Sequence, residues 1–165
     1  MRRMPPLIYV CFDSCGFAPP IQEEKQAVAQ LLALGEEHHD QVIIGVPQAV
    51  SEETSQAPDR ARRIAQAQIY DLDLFTTQGE QQELLEVRIL LFGTPTGLSS
   101  GKVNDARNLL CAKKYCCTYF VSFDRNHILS KRDEIKSKLG FEVVTPSECL
   151  RILRAHLSRG NPRAT

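Results

Sequence analysis

Four short, mostly apolar runs recur along the chain, and each is closed by an acid or a proline. Leu7–Phe12 ends at Asp13-Ser14, Val42–Val46 at Pro47, Thr118–Phe123 at Asp124, and Phe141–Thr145 at Pro146. Runs of five or six such residues suit strands covered by helices on both faces, as in a parallel sheet. Helical spacing fills the intervals. Ile21–Leu34 carries Val28, Leu31 and Leu32, with Gly35 as the expected stop. Gln48–Ala57 reads as a short polar helix broken by Pro58, and Asp59 to about Tyr70 as another. Asn104–Tyr115 has Asn104 as candidate N-cap, Arg132–Leu139 ends at Gly140, and Ser147–His156 opens on Ser147 as its cap. Apolar strand alternating with amphipathic helix argues for an α/β domain with a mainly parallel central sheet.

Residues 71–103 are the irregular stretch. Leu72 and Leu74 alternate like a strand, Gln81–Leu91 fits helix or strand, and Gly93–Gly101 reads as loop. Residues 1–157 are expected to form one domain, with 71–103 as a variable insertion or loop region and 158–165 as a disordered tail. At 165 residues, such a chain buries enough surface to fold without a disulfide or metal staple.

No apolar run approaches the ~20 residues of a membrane helix. The apolar stretch after Arg2-Arg3 is only Leu7–Phe12, too short for the core of a signal peptide. The six cysteines contain no C-x-x-C pair, and Cys11, Cys117 and Cys149 lie in apolar runs, where a thiol behaves as a small hydrophobe. A reducing cytoplasm without disulfides or structural zinc is expected. Net charge is zero but unevenly spread: residues 1–100 carry 7 Lys/Arg against 14 Asp/Glu, and residues 101–165 carry 13 against 6. Such asymmetry points to a polyanionic partner, unless folding interleaves the halves.

Ligands of an open parallel sheet bind beyond the carboxyl ends of its strands. Asp13 and Asp124 directly follow the first and third runs. Glu52 and Glu53 follow the second by a few residues, and Asp105 lies near the start of a helix. Singly, each has a structural explanation as a turn former or helix-start acid. Together, four carboxylates on one sheet edge would repel one another unless a divalent cation neutralised them, and oxygen donors suit Mg²⁺ or Mn²⁺.

Five segments in order resemble the PIN domain family of metal-dependent ribonucleases, which includes toxins of toxin–antitoxin pairs. They are the first strand with Asp13-Ser14, Val46-Pro47-x-x-Val50-x-x-Glu53, Asn104-Asp105-Ala106, Phe120-Val-Ser-Phe-Asp124, and Gly140–Leu150. They span most of residues 7–153 and leave 71–103 unmatched. The resemblance implies a three-layer α/β/α sandwich with metal-ligating, catalytic acids at Asp13, Glu53, Asp105 and Asp124. Glu53 fits the pattern better than Glu52 because it stands three after Val50. Ser122 matches a hydroxyl position that orients a carboxylate or water, and Ser14 stands beside the first acid. Cys15 departs from the family, where Asn or Ser is usual.

The activity implied is hydrolysis of RNA phosphodiester bonds, in preference to DNA, by water activated at Mg²⁺ or Mn²⁺. A toxin of this type would have an antitoxin protein as partner and form homodimers. Lys102 and Arg125 flank the expected site and are the chosen nucleic-acid contacts, ahead of Arg107, Lys113, Lys114, Lys131 and Arg132. Aromatic residues are few and fall mostly in strands, leaving no evident stacking platform. The alternative is a non-catalytic nucleic-acid-binding or protein-interaction module on the same fold. A nucleotide-binding α/β fold is disfavoured, because no glycine-rich phosphate loop follows the first strand.

Overall fold

Successive side chains of a strand point to opposite faces, and Ile8–Phe12 divides its residues accordingly. Val10 and Phe12 join one hydrophobic core and Cys11 joins another. This strand, β1, is the centre of a five-stranded, all-parallel sheet in a computed structural model that describes residues 6–54, 63–64, 66–70 and 75–160. The others are β2 (Val42–Pro47), β3 (Gln68–Tyr70), β4 (Tyr119–Val121) and β5 (Glu142–Val144), in the spatial order β3-β2-β1-β4-β5. The described helices are α1 (Ser14–Phe17), α2 (Gln22–Glu37), α3 (Gln48–Thr54), α4 (Gln78–Phe92), α5 (Ser100–Lys114), α6 (Arg132–Leu139) and α7 (Pro146–Gly160).

On one face Val10, Phe12, Ile44, Val46 and Val121 pack against Leu31 and Leu32 of α2 and Leu150 and Leu153 of α7. On the other, Cys11, Phe120 and Val143 pack against α4, α5 and α6 through Val87, Leu109 and Ile135. The result is the expected α/β class, a parallel sheet sandwiched between two helix layers. No helix of the described residues is long and apolar enough to cross a membrane. None of the six cysteines is in a disulfide.

Several element boundaries differ from expectation. Gln68–Tyr70 is a strand rather than the end of a helix: its residues pair with Gly45, Val46 and Pro47 of β2. Tyr70 is buried, and its hydroxyl donates to the Val10 carbonyl at 3.0 Å. This tertiary anchor outweighs the local helical spacing. Gly35 does not stop α2, which continues to Glu37; Gly35 instead lies against the Ile44 side chain. The second helix is seen as Gln48–Thr54, with residues 55–57 outside the described ones, as are 59–62, Leu72 and Leu74. Gln81–Leu91 resolves as helix, within α4, which Thr77 caps by accepting from Glu80 N–H.

Helix α5 begins within the expected loop. Ser99 is its N-cap, accepting from Lys102 N–H, so Asn104 lies inside the helix rather than capping it. Likewise α7 is capped by Thr145, not Ser147. Thr145 N–H donates to Glu148 and Glu148 N–H donates to Thr145 Oγ1, a reciprocal capping box. Ser147 instead gives its hydroxyl and N–H to the buried carboxylate of Glu24 on α2. The helix runs on to Gly160, so residues 158–160 are helical, and 161–165 lie outside the described residues. Gly140 ends α6 as expected, with φ of 84° that L side chains rarely adopt.

The two charged halves do interleave. Lys113, Lys114 and Lys138 pair with Glu83, Glu80 and Glu86 of α4 at 2.6, 3.2 and 2.6 Å. Part of the basic excess of residues 101–165 is therefore used in stitching helices together.

Candidate functional site

The order β3-β2-β1-β4-β5 means that the chain leaves β1 to one side, builds β2 and β3, and returns to place β4 on the other side. A crevice opens at such a reversal, outside the carboxyl ends of the two strands. Asp13 follows β1 at this point, and its backbone N–H continues the pairing by donating to Val121 O at 3.1 Å. Its side chain is 2% exposed. One carboxylate oxygen accepts from Gly16 N–H at 2.6 Å, capping α1, and the other accepts from Ser122 Oγ at 2.6 Å. Position 16 has to be glycine for α1 to pack this closely, since a Cβ there would overlap the Val121 carbonyl.

Ser122 is fully buried just past β4, and its Oγ also accepts from Asp124 N–H at 3.1 Å. One hydroxyl thus ties the two strand-end aspartates together. Asp124 Oδ1 accepts from the N–H groups of Asn126 and His127, both at 3.0 Å, which points the turn after β4. His127 Nδ1 lies 3.5 Å from Asp124 Oδ2.

A cleft of about 570 Å³ opens here, lined among others by Asp13, Asp105, Asp124, Asn104, Asn108 and Arg125. Residues from β1, α5 and β4, far apart in sequence, meet in one concavity. Burial is the main force pushing Asp13 up to about 7, with the charges of Asp105 and Asp124 adding to it. The Ser122 and Gly16 hydrogen bonds pull it the other way. Burial, then the charges of Asp13, Asp124 and Asp105, push the Cys15 thiol up to about 11, so it stays protonated at neutral pH. Asp13 therefore lies in the field of two further acids of the same cleft.

No protein-family model, curated protein or solved structure matches the chain.

Of the residues expected at the site, Asp13, Asp105, Asp124, Ser14 and Arg125 line the cleft, and Ser122 lies under its floor. Glu53 stands on α3, whose backbone is described, but its side chain lies outside the described residues. Val50 is fully buried and anchors that helix; Glu52 is exposed and accepts from Gln48 Nε2 at 3.1 Å. Lys102 follows the cleft residue Gly101, and its Nζ lies 5.3 Å from the centre of the Phe92 ring. Among the described residues, no three His, Cys, Asp or Glu side chains are grouped closely enough to clasp a metal ion.

Two cleft residues do not stand out in the sequence pattern. Phe123, the last residue of its apolar run, lies beyond β4 and lines the cleft, with the Arg125 guanidinium 4.9 Å from its ring centre. Asn108 lines the same wall as Asn104 and Asp105, four and three residues before it on α5. That helical spacing is the available signal.

Proposed function

We propose that this chain is a divalent-metal-dependent nuclease of PIN type that hydrolyses RNA phosphodiester bonds, with its active site in the acidic cleft. The observation that carries the reading is the gathering of Asp13, Asp105 and Asp124 in one cleft at the sheet's reversal point, with Asp13 destabilised as an anion chiefly by its burial and further by the charges of the other two. An arrangement that costs folding energy without a cation is the kind that a cation repairs.

The donor set fits Mg²⁺ or Mn²⁺. All three groups are hard carboxylate oxygens, and Mg²⁺ commonly keeps several waters while taking one or two carboxylates and the substrate's phosphate oxygens. A ready-made three-carboxylate cage is therefore not required. Asp105 and Asp124, both half-buried at the cleft wall, would be the main ligands, with Asp13 and the Glu53 position contributing. When bound, the ion supplies an activated water and charge stabilisation for phosphoryl chemistry.

The chain's own residues do the positioning. Ser122 and Gly16 fix the Asp13 carboxylate from below. Arg125 and Lys102 would hold backbone phosphates, the salt-sensitive part of binding. Phe123 and the guanidinium over it offer a face for an unstacked base. A toxin of a toxin–antitoxin pair, active in the cytoplasm as a homodimer and silenced by an antitoxin protein in the cleft, is the most specific form of this proposal.

The test is cutting of a fluorescent mixed-sequence RNA by the purified protein in Mn²⁺, beside EDTA and a DNA of the same sequence. Cutting of RNA in Mn²⁺ alone supports the reading. The same RNA left intact but bound would favour a non-catalytic binding module on this fold.

A further inference from the structure

Two side chains lining the cleft are more than nine-tenths buried: Asp13 at 2% exposure and Asn108 at 4%. Their situations are opposite. Both oxygens of Asp13 are held, by Gly16 N–H and Ser122 Oγ. The Asn108 amide opens on the cleft, and among the described residues no hydrogen bond to it forms. Asparagine is a poor helix-interior residue, and the amide is not sealed in the core: among the described residues the wholly buried side-chain polar atom without a partner is Arg88 Nε. Its neighbours on the same helix, Leu109 and Leu110, show what the core would otherwise accept.

Its chemistry is complementary to what surrounds it. The carboxylates of the cleft are acceptors when ionised, and the cationic side chain that lines it, Arg125, is exposed at the mouth. On the cleft wall, Asn108 brings two N–H donors without adding charge. A phosphodiester entering beside aspartates carries acceptor oxygens that need such donors. A neutral amide can serve them without competing for the cation.

Resting on the nuclease reading above, we infer that Asn108 is a substrate-binding residue whose amide N–H₂ donates to a non-bridging oxygen of the phosphodiester drawn into the cleft. In the free protein the amide is open to water in the cleft, and the phosphodiester oxygen would take that place.

The experiment compares wild type, Asn108→Ala and Asn108→Asp for cutting of the fluorescent RNA in Mn²⁺, and for thermal melting in EDTA. Both variants are expected to lose about ten- to hundredfold in kcat/KM, the worth of a hydrogen bond to a charged group. Asn108→Ala should melt at or above wild type, since no protein hydrogen bond is lost. Wild-type-like cutting by Asn108→Ala overturns the inference and leaves the nuclease intact. Wild-type-like cutting by Asn108→Asp also overturns it, because the oxygen rather than the N–H₂ would then suffice. A markedly lower melting temperature for Asn108→Ala would mark the amide as structural, again against it. No cutting by wild type sinks the nuclease reading and this inference together.

Discussion

Ser122 Oγ donates to Asp13 Oδ2 at 2.6 Å, a bond between residues 109 apart in sequence that joins the ends of β1 and β4 beneath the cleft. The same oxygen accepts from Asp124 N–H. Removing it in Ser122→Ala would leave a buried carboxylate short of a donor. The expected cost is about 1.5–3 kcal/mol where Asp13 is ionised and nearer 1 kcal/mol where it is protonated. Urea unfolding of both proteins at about pH 5 and about pH 8 checks this; an equal loss at both would show that the bond is indifferent to the Asp13 charge.

Asp13 itself makes stability depend on pH. Its pKa rises from an ordinary aspartate's 3.8 to about 7 in the fold, chiefly through burial. Between those values the folded protein keeps a proton that the unfolded chain has released. Stability of the metal-free protein should therefore fall as pH rises from about 4 to about 7, by on the order of 4 kcal/mol if the whole shift is expressed. Above that range this contribution is flat. Asp13→Asn, which cannot titrate, should lack that share of the slope in EDTA, and an unchanged slope would place the titrating group elsewhere.

Gly16→Ala tests the packing that aims Asp13. The added Cβ would overlap the Val121 carbonyl, so α1 must move away from β4 and carry the Gly16 N–H with it. A loss of about 1–3 kcal/mol is expected, typical of overpacking against backbone, together with weaker divalent-ion binding. Stability and affinity both equal to wild type would mean that α1 can shift without consequence.

Much of this is legible in the sequence because strands β1, β2, β4 and β5 are buried on both faces and so read as apolar runs. Asp13 and Asp124 are legible for the same reason, as the residues that end those runs. The misreadings arise where tertiary contact overrides local pattern. Tyr70 belongs to an edge strand through its bond to Val10, and Gly35 lies inside α2 at a point where a Cβ would crowd the Ile44 side chain. Asn108 is marked in the sequence only by its helical spacing from Asn104 and Asp105, which groups the three on one face without saying that the face borders a cleft. The excess charge of residues 101–165 suggests a polyanion, yet Lys113, Lys114 and Lys138 are paired with α4.

The central claim is that the cleft aspartates form a cation site, and Mn²⁺ binding by wild type and Asp105→Asn, followed by water-proton relaxation, tests it most directly. Wild type should bind Mn²⁺ and Asp105→Asn should not. The variant should still melt in EDTA at or above the wild-type temperature, because one source of repulsion on Asp13 is gone. Equal Mn²⁺ binding by the two proteins, or an Asp105→Asn variant that melts well below wild type in EDTA, would contradict it.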